Sequence, residues 1–155
     1  MKTAEAIREY FARDHDRLDD LFKQFQALKR SDYPKAKGFF KAFKIGLQRH
    51  IVWEEDILFP LFEGKTGLTG GPTDIMRMEH RQIKKHLEEI HDKVRIQYPE
   101  SDEAEQALLY VLSLHNNKEE KVLYPAIDQH MTDQDRADVF AAMEKVPEER
   151  YHRCC

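Results

Sequence analysis

A chain of 155 residues that is 41% apolar, 10% aromatic and 35% charged can bury one real core, which excludes a disordered chain. Its 25 basic and 29 acidic residues leave a net charge of −4 and form no Lys/Arg block, so nucleic acid is not expected as a partner. No apolar stretch approaches the roughly 20 residues of a membrane span, and the charged N-terminus lacks a signal-peptide core, so no membrane partner and a cytoplasmic location are expected.

Four long segments carry a helical apolar period. The first runs from about Thr3 to Leu28, with Ile7, Phe11, Leu18, Phe22 and Phe25 on its stripe. Ser31, Asp32, Tyr33 and Pro34 close it and start the second, about Pro34 to Phe62. That segment is expected to bury Phe39, Phe43, Leu47, Ile57, Leu58 and Leu61, with Pro60 kinking or ending it. The Gly-rich run from Gly64 to Pro72 then breaks the chain. The third segment, about Pro72 to Gln97, places Met76, Ile83, Leu87, Ile90 and Val94 inward, and Tyr98 to Asp102 turns the chain again. The fourth, about Asp102 to His130, carries Leu108, Val111, Leu112, Val122, Leu123 and Ile127, with Pro125 late in it. A fifth, about Asp133 to Lys145, follows a capping signal at Thr132. Short connections make successive helices antiparallel neighbours. The expected fold is all-α: a single domain over 1–155, an up-down-up-down four-helix bundle with a short C-terminal fifth helix. Cys154 and Cys155, adjacent and terminal, cannot staple it and are expected in a solvated, flexible tail over 147–155.

A shift of 65 residues carries His15 onto His80, His50 onto His115 and Glu54 onto Glu119. The neighbours follow: Asp14 falls on Glu79, and the run HIVWEEDILFP from His50 falls on HNNKEEKVLYP from His115. Each of the six residues fills a gap in an apolar stripe, so all six point inward near the middle of their helices. His and Glu at i, i+4 share a helix face, about 6 Å apart along the axis. They can bind one ion together, or the carboxylate can bridge to a second. Two carboxylates facing each other in an apolar core cost several kcal/mol unless charge compensates them. A pair of metal cations compensates them and keeps the ligands deprotonated. The metal-ligand set is therefore His15, His50, Glu54, His80, His115 and Glu119. Imidazole with carboxylate suits iron, manganese or zinc. The remaining histidines, His86, His91, His130 and His152, fall off the face, too far along, or near chain and helix ends. Trp53 reads as packing. Tyr10, Tyr110 and Tyr124 have no spacing that demands a site role.

These residues resemble the hemerythrin-like family of HHE cation-binding domains over about 4–130, most specifically in the doubled His-x-x-x-Glu-Glu-x-x-Leu-aromatic-Pro run. The resemblance implies a four-helix bundle around a non-haem centre of two iron ions, oxo- or hydroxo-bridged. Carried across, the four histidines are terminal iron ligands, while Glu54 and Glu119 bridge. The oxygen-carrying members place a fifth His four residues after the third, where this chain has Lys84. They also use an Asp five residues after the last His; Glu120 stands there, but the repeat favours Glu119. The four-His, two-Glu set is more similar to iron-centre repair proteins and to relatives that handle iron, nitric oxide or peroxide. The ferritin-like Glu-x-x-His pattern is rejected, because its second copy, Glu149 to His152, lies in the tail after Pro147.

The resulting expectation is a di-iron protein that binds or reacts with O2, NO or peroxide, or handles iron in stress defence. Redox or iron-centre repair activity and a reversible oxygen or iron sensor or store remain alternatives, as does a structural bundle holding zinc. A small diatomic ligand or peroxide is the expected partner, and no protein partner is indicated.

Overall fold

The computed structural model describes residues 5–154, so the expected helix start at Thr3 and the residue Cys155 lie outside the described residues. Helix α1 (Ile7–Leu28) and helix α2 (Tyr33–Trp53) form an antiparallel hairpin. Its register is written in aromatic contacts, with ring centroids 5.2 Å apart for Phe25–Phe40 and 4.7 Å for Phe22–Phe43. Asp32 caps α2, its Oδ1 accepting the Lys35 N–H at 3.3 Å. The chain then passes through one π-helical turn, Glu54–Leu58, into α3 (Phe59–Thr66), which Gly67 closes at φ 70°. The second half repeats the plan with α4 (Pro72–Arg95), α5 (Asp102–Lys118), a π turn at Glu119–Leu123 and α6 (Tyr124–Gln129). Helix α7 (Asp133–Glu144) starts at a capping box between Thr132 and Asp135, the cap expected from the sequence. No strand occurs among the described residues, and the architecture is the helical bundle that the periodicity predicts.

The two π turns are the main departure from the sequence reading. Rather than stopping at Pro60, the helical path runs on to Thr66. In each turn the donor is five residues past its acceptor: the Phe59 N–H bonds the Glu54 carbonyl, and the Tyr124 N–H bonds the Glu119 carbonyl. Pro60 and Pro125 lack an N–H and would crowd a carbonyl four residues back, and a widened turn just ahead relieves that conflict. The extra residue rotates everything after it by about one α-helical step, roughly 100°. Ile57 and Leu61 are consequently only half-buried, while Leu58, Phe59 and Phe62 take the core positions. Val122, expected inward, is 67% exposed, and Leu123 and Tyr124 are buried beside it. Outside the π turns, Phe39 and Val111 are also half-buried; Phe40, not Phe39, meets Phe25.

Two apolar clusters result. One joins Phe22, Phe25, Phe40, Phe43, Leu87 and Ile90; the other joins Ile7, Phe11, Phe59, Met76, Tyr124 and Ile127. Beyond the first, buried Lys29 at the end of α1 pairs with Glu105 at 2.6 Å and with Asp102, pinning the start of α5. The tail is docked: Gln48 donates to the carbonyls of Tyr151 (2.7 Å) and Arg153 (3.2 Å), and half-buried Cys154 packs on the first cluster.

Candidate metal centre

Between the two apolar clusters lies a polar layer holding all six residues singled out by the repeat. Helix α1 supplies His15, α2 His50, α4 His80 and α5 His115, and the first residues of the two π turns are Glu54 and Glu119. Each is buried to 3% exposure or less. The histidines face one another in pairs, with ring centroids 4.6 Å apart for His15–His50 and 4.8 Å for His80–His115. The carboxylates span the pairs. Glu54 Oε1 is 3.1 Å from His80 Nε2 and 3.6 Å from His50 Nε2. Glu119 Oε1 is 3.1 Å from His115 Nε2 and 3.3 Å from His15 Nε2. Two sets of donors lie within ion-binding reach of one another: Glu54, His80, His115 and Glu119; and His15, His50 and Glu119.

Every imidazole uses its other nitrogen on an outer carboxylate. Nδ1 of His15 meets Glu120 at 2.9 Å, that of His50 meets Asp14 at 2.8 Å, that of His80 meets Glu55 at 2.6 Å, and that of His115 meets Glu79 at 2.8 Å. A carboxylate accepts, so each Nδ1–H donates outward and each Nε2 faces the cluster. This is how metal-binding histidines are oriented and made more basic. The four carboxylates obey the same 65-residue relation, Asp14 with Glu79 and Glu55 with Glu120. Glu120 therefore belongs to the outer ring, and the inward position is that of Glu119.

The electrostatics of the layer call for positive charge. Burial opposes protonation of His15, yet Glu119, Glu54 and Glu120 outweigh it and raise the imidazole to about 9. His80 is likewise raised to about 9, where burial is overcome by Glu54 and Glu55. Burial and the neighbouring Glu119 push Glu54 up. Burial also works against ionisation of Glu119, but the neighbouring Glu54 carboxyl and the His115 and His15 imidazoles hold it well below its ordinary value. Buried Glu119 Oε2 makes no hydrogen bond, and neither do Glu54 Oε1 and His80 Nε2, although these two lie 3.1 Å from one another. Unpartnered buried lone pairs of this kind are costly, and a cation satisfies them. The donor set and the orphaned atoms both fit a metal ion.

The layer contains one residue that sequence reasoning passed over. The Tyr124 hydroxyl is fully buried and reaches Glu54 Oε2 at 2.7 Å and Glu119 Oε1 at 3.0 Å. Tyrosine stands five residues after Glu119, which in an α-helix is about 140° off its face; the π turn brings it round. Of the other tyrosines, Tyr10 packs on Phe140 and Trp53, and Tyr110 is 69% exposed. Trp53 is buried in that aromatic cluster under the Arg49 guanidinium. His86, His91, His130 and His152 lie outside the layer: His91 bonds Glu88, His130 bonds the Ala126 carbonyl, and His86 and His152 sit beside Glu89 and Glu148. Lys84 is exposed.

Among the described residues no helix is long and apolar enough to cross a membrane. The family profile of the hemerythrin HHE cation binding domain matches residues 6–127. The chain is similar to an uncharacterized hemerythrin-like protein of Schizosaccharomyces pombe, with 25% identity over 143 residues that cover 90% of this chain and 68% of the relative. No solved structure matches it.

Proposed function

The chain belongs to the hemerythrin family of HHE cation-binding domains, and from that premise we propose that it is a non-haem di-iron protein that binds or reacts with O2, NO or peroxide, or handles iron in stress defence. In this reading His15 and His50 hold one ion, His80 and His115 hold the other, and Glu54 and Glu119 bridge them. The observation that carries it is the pair of buried glutamates, each lying between a histidine of one pair and a histidine of the other. When bound, two irons supply one-electron redox changes and coordination positions open to a small ligand. The protein does the rest. The outer carboxylates of Asp14, Glu55, Glu79 and Glu120 fix the four imidazoles with Nε2 inward. Phe11, Phe59, Leu58 and Ile83 keep the layer dry, which strengthens every charge interaction in it.

That same enclosure supports a second reading, a sensor or store that takes up its ligand reversibly without turnover. One preparation separates the two. Protein expressed in iron-replete medium is assayed for metal, and its optical spectrum is followed through reduction and re-exposure to air. Two irons per chain are expected. Rapid oxidation without a lasting adduct supports redox or repair chemistry, whereas uptake of O2 that is released intact supports the sensor or store. Less than one iron with a full complement of zinc overturns the di-iron reading.

A further inference from the structure

The 65-residue repeat is obeyed by the six inner residues and by the charges of the outer ring, but it is broken at one place in the layer. Tyr124 falls on Phe59. The two rings are placed alike: Phe59 lies against His80 at a centroid distance of 6.0 Å, and Tyr124 against His15 at 5.9 Å. The difference between these two rings is a single hydroxyl group. Its oxygen lies 2.7 Å from Glu54 Oε2, 3.0 Å from Glu119 Oε1, 3.3 Å from His50 Nε2 and 3.4 Å from His15 Nε2. A phenol has one proton to donate, so hydrogen bonding serves one of the two carboxylates and leaves the other facing the same oxygen. Ion-to-donor bonds of about 2.0–2.2 Å place adjacent donors of one coordination shell roughly 3 Å apart, and this is the spacing found around the tyrosine oxygen.

We propose that the Tyr124 oxygen is itself a ligand of the ion held by His15, His50 and Glu119, which makes the two metal positions inequivalent. The first carries a phenolate; the second, walled by Phe59, has no such ligand. On binding, the ion takes the place of the phenol proton, which leaves to solvent, and no electron changes hands. The inference rests on the di-iron reading above and sharpens it, because a merely repeated site would offer two equal ions.

The test is spectroscopic and needs no turnover. Wild-type protein and Tyr124→Phe are loaded with ferric iron, metal content is measured, and visible absorption and resonance Raman spectra are recorded. The wild type is expected to hold two irons and to show a phenolate-to-iron charge-transfer band with enhanced tyrosine ring modes. Tyr124→Phe, which installs the residue already tolerated at position 59, is expected to retain two irons and lose both signals. Two irons in the wild type without the band overturn the tyrosine ligand alone, as does a band that survives in Tyr124→Phe. Failure of the wild type to take up iron overturns the di-iron reading and the ligand with it.

Discussion

In the proposed di-iron reading Glu54 and Glu119 are the two side chains that join the ions, because each lies between a histidine of one pair and a histidine of the other. Removing either carboxylate leaves an ion with fewer anionic donors in a buried layer that cannot replace them with water at low cost. Glu54→Ala and Glu119→Ala are each expected to lose bound metal, and Lys84→Ala, at an exposed position, to keep it. Metal analysis after gel filtration checks this; two irons in both glutamate variants would refute the bridging roles. The inward histidines and glutamates were legible because polar residues interrupt apolar stripes at matching depth in two repeats. The outer carboxylates left a signal too, since Asp14 and Glu79 precede a histidine and Glu55 and Glu120 follow a glutamate. That signal did not say which histidine each would reach. His15 is met by Glu120 and His80 by Glu55, each from the other half of the chain.

At the scale of the element, the helices and their caps follow from periodicity and from Asp32, Gly67 and Thr132, whereas the π turns do not. An α-helical reading places Ile57, Leu61 and Val122 inward beside Leu58 and Leu123; one inserted residue per half keeps the two leucines buried but exchanges the other three for Phe59, Phe62 and Tyr124. Periodicity is a local average, and a single wide turn changes its phase without changing its period. The ends of the helices are tied by charge as well as by packing. Lys29 and Glu105 are both about 2–3% exposed and 2.6 Å apart, with Gln26 donating to the second carboxylate oxygen at 3.1 Å. Lys29→Met leaves Glu105 buried without its cation, a change that costs about 3–5 kcal/mol where it has been isolated. Denaturant unfolding of the purified variant is expected to show a loss of that order, and a midpoint equal to wild type would show that the pair does not hold α1 to α5.

For the whole molecule, the polar layer couples stability to pH. His15 and His80 have an ordinary value of 6.5 and are raised to about 9 in the fold by the glutamates around them. Groups raised in this way contribute stability that is complete below about 6.5 and lost as pH rises through about 9. Glu54, also raised, acts in the same direction. Chelator-treated protein is therefore expected to show a falling Tm between these values. Metal-loaded protein is expected to hold its Tm there, because the cation replaces the protons. A flat Tm profile for the stripped protein counts against the layer as the source of the coupling.

Fold class, the order of the long helical segments and the six inward residues could be read from the chain alone, because helix periodicity and a duplicated spacing are properties of order along the sequence. Three things were decided only in three dimensions: the crossing of the outer carboxylates between halves, the phase shift at each π turn, and the arrival of the Tyr124 hydroxyl beside both glutamates. All three depend on distances between segments far apart in the chain, or on a change of helical pitch that no local pattern encodes.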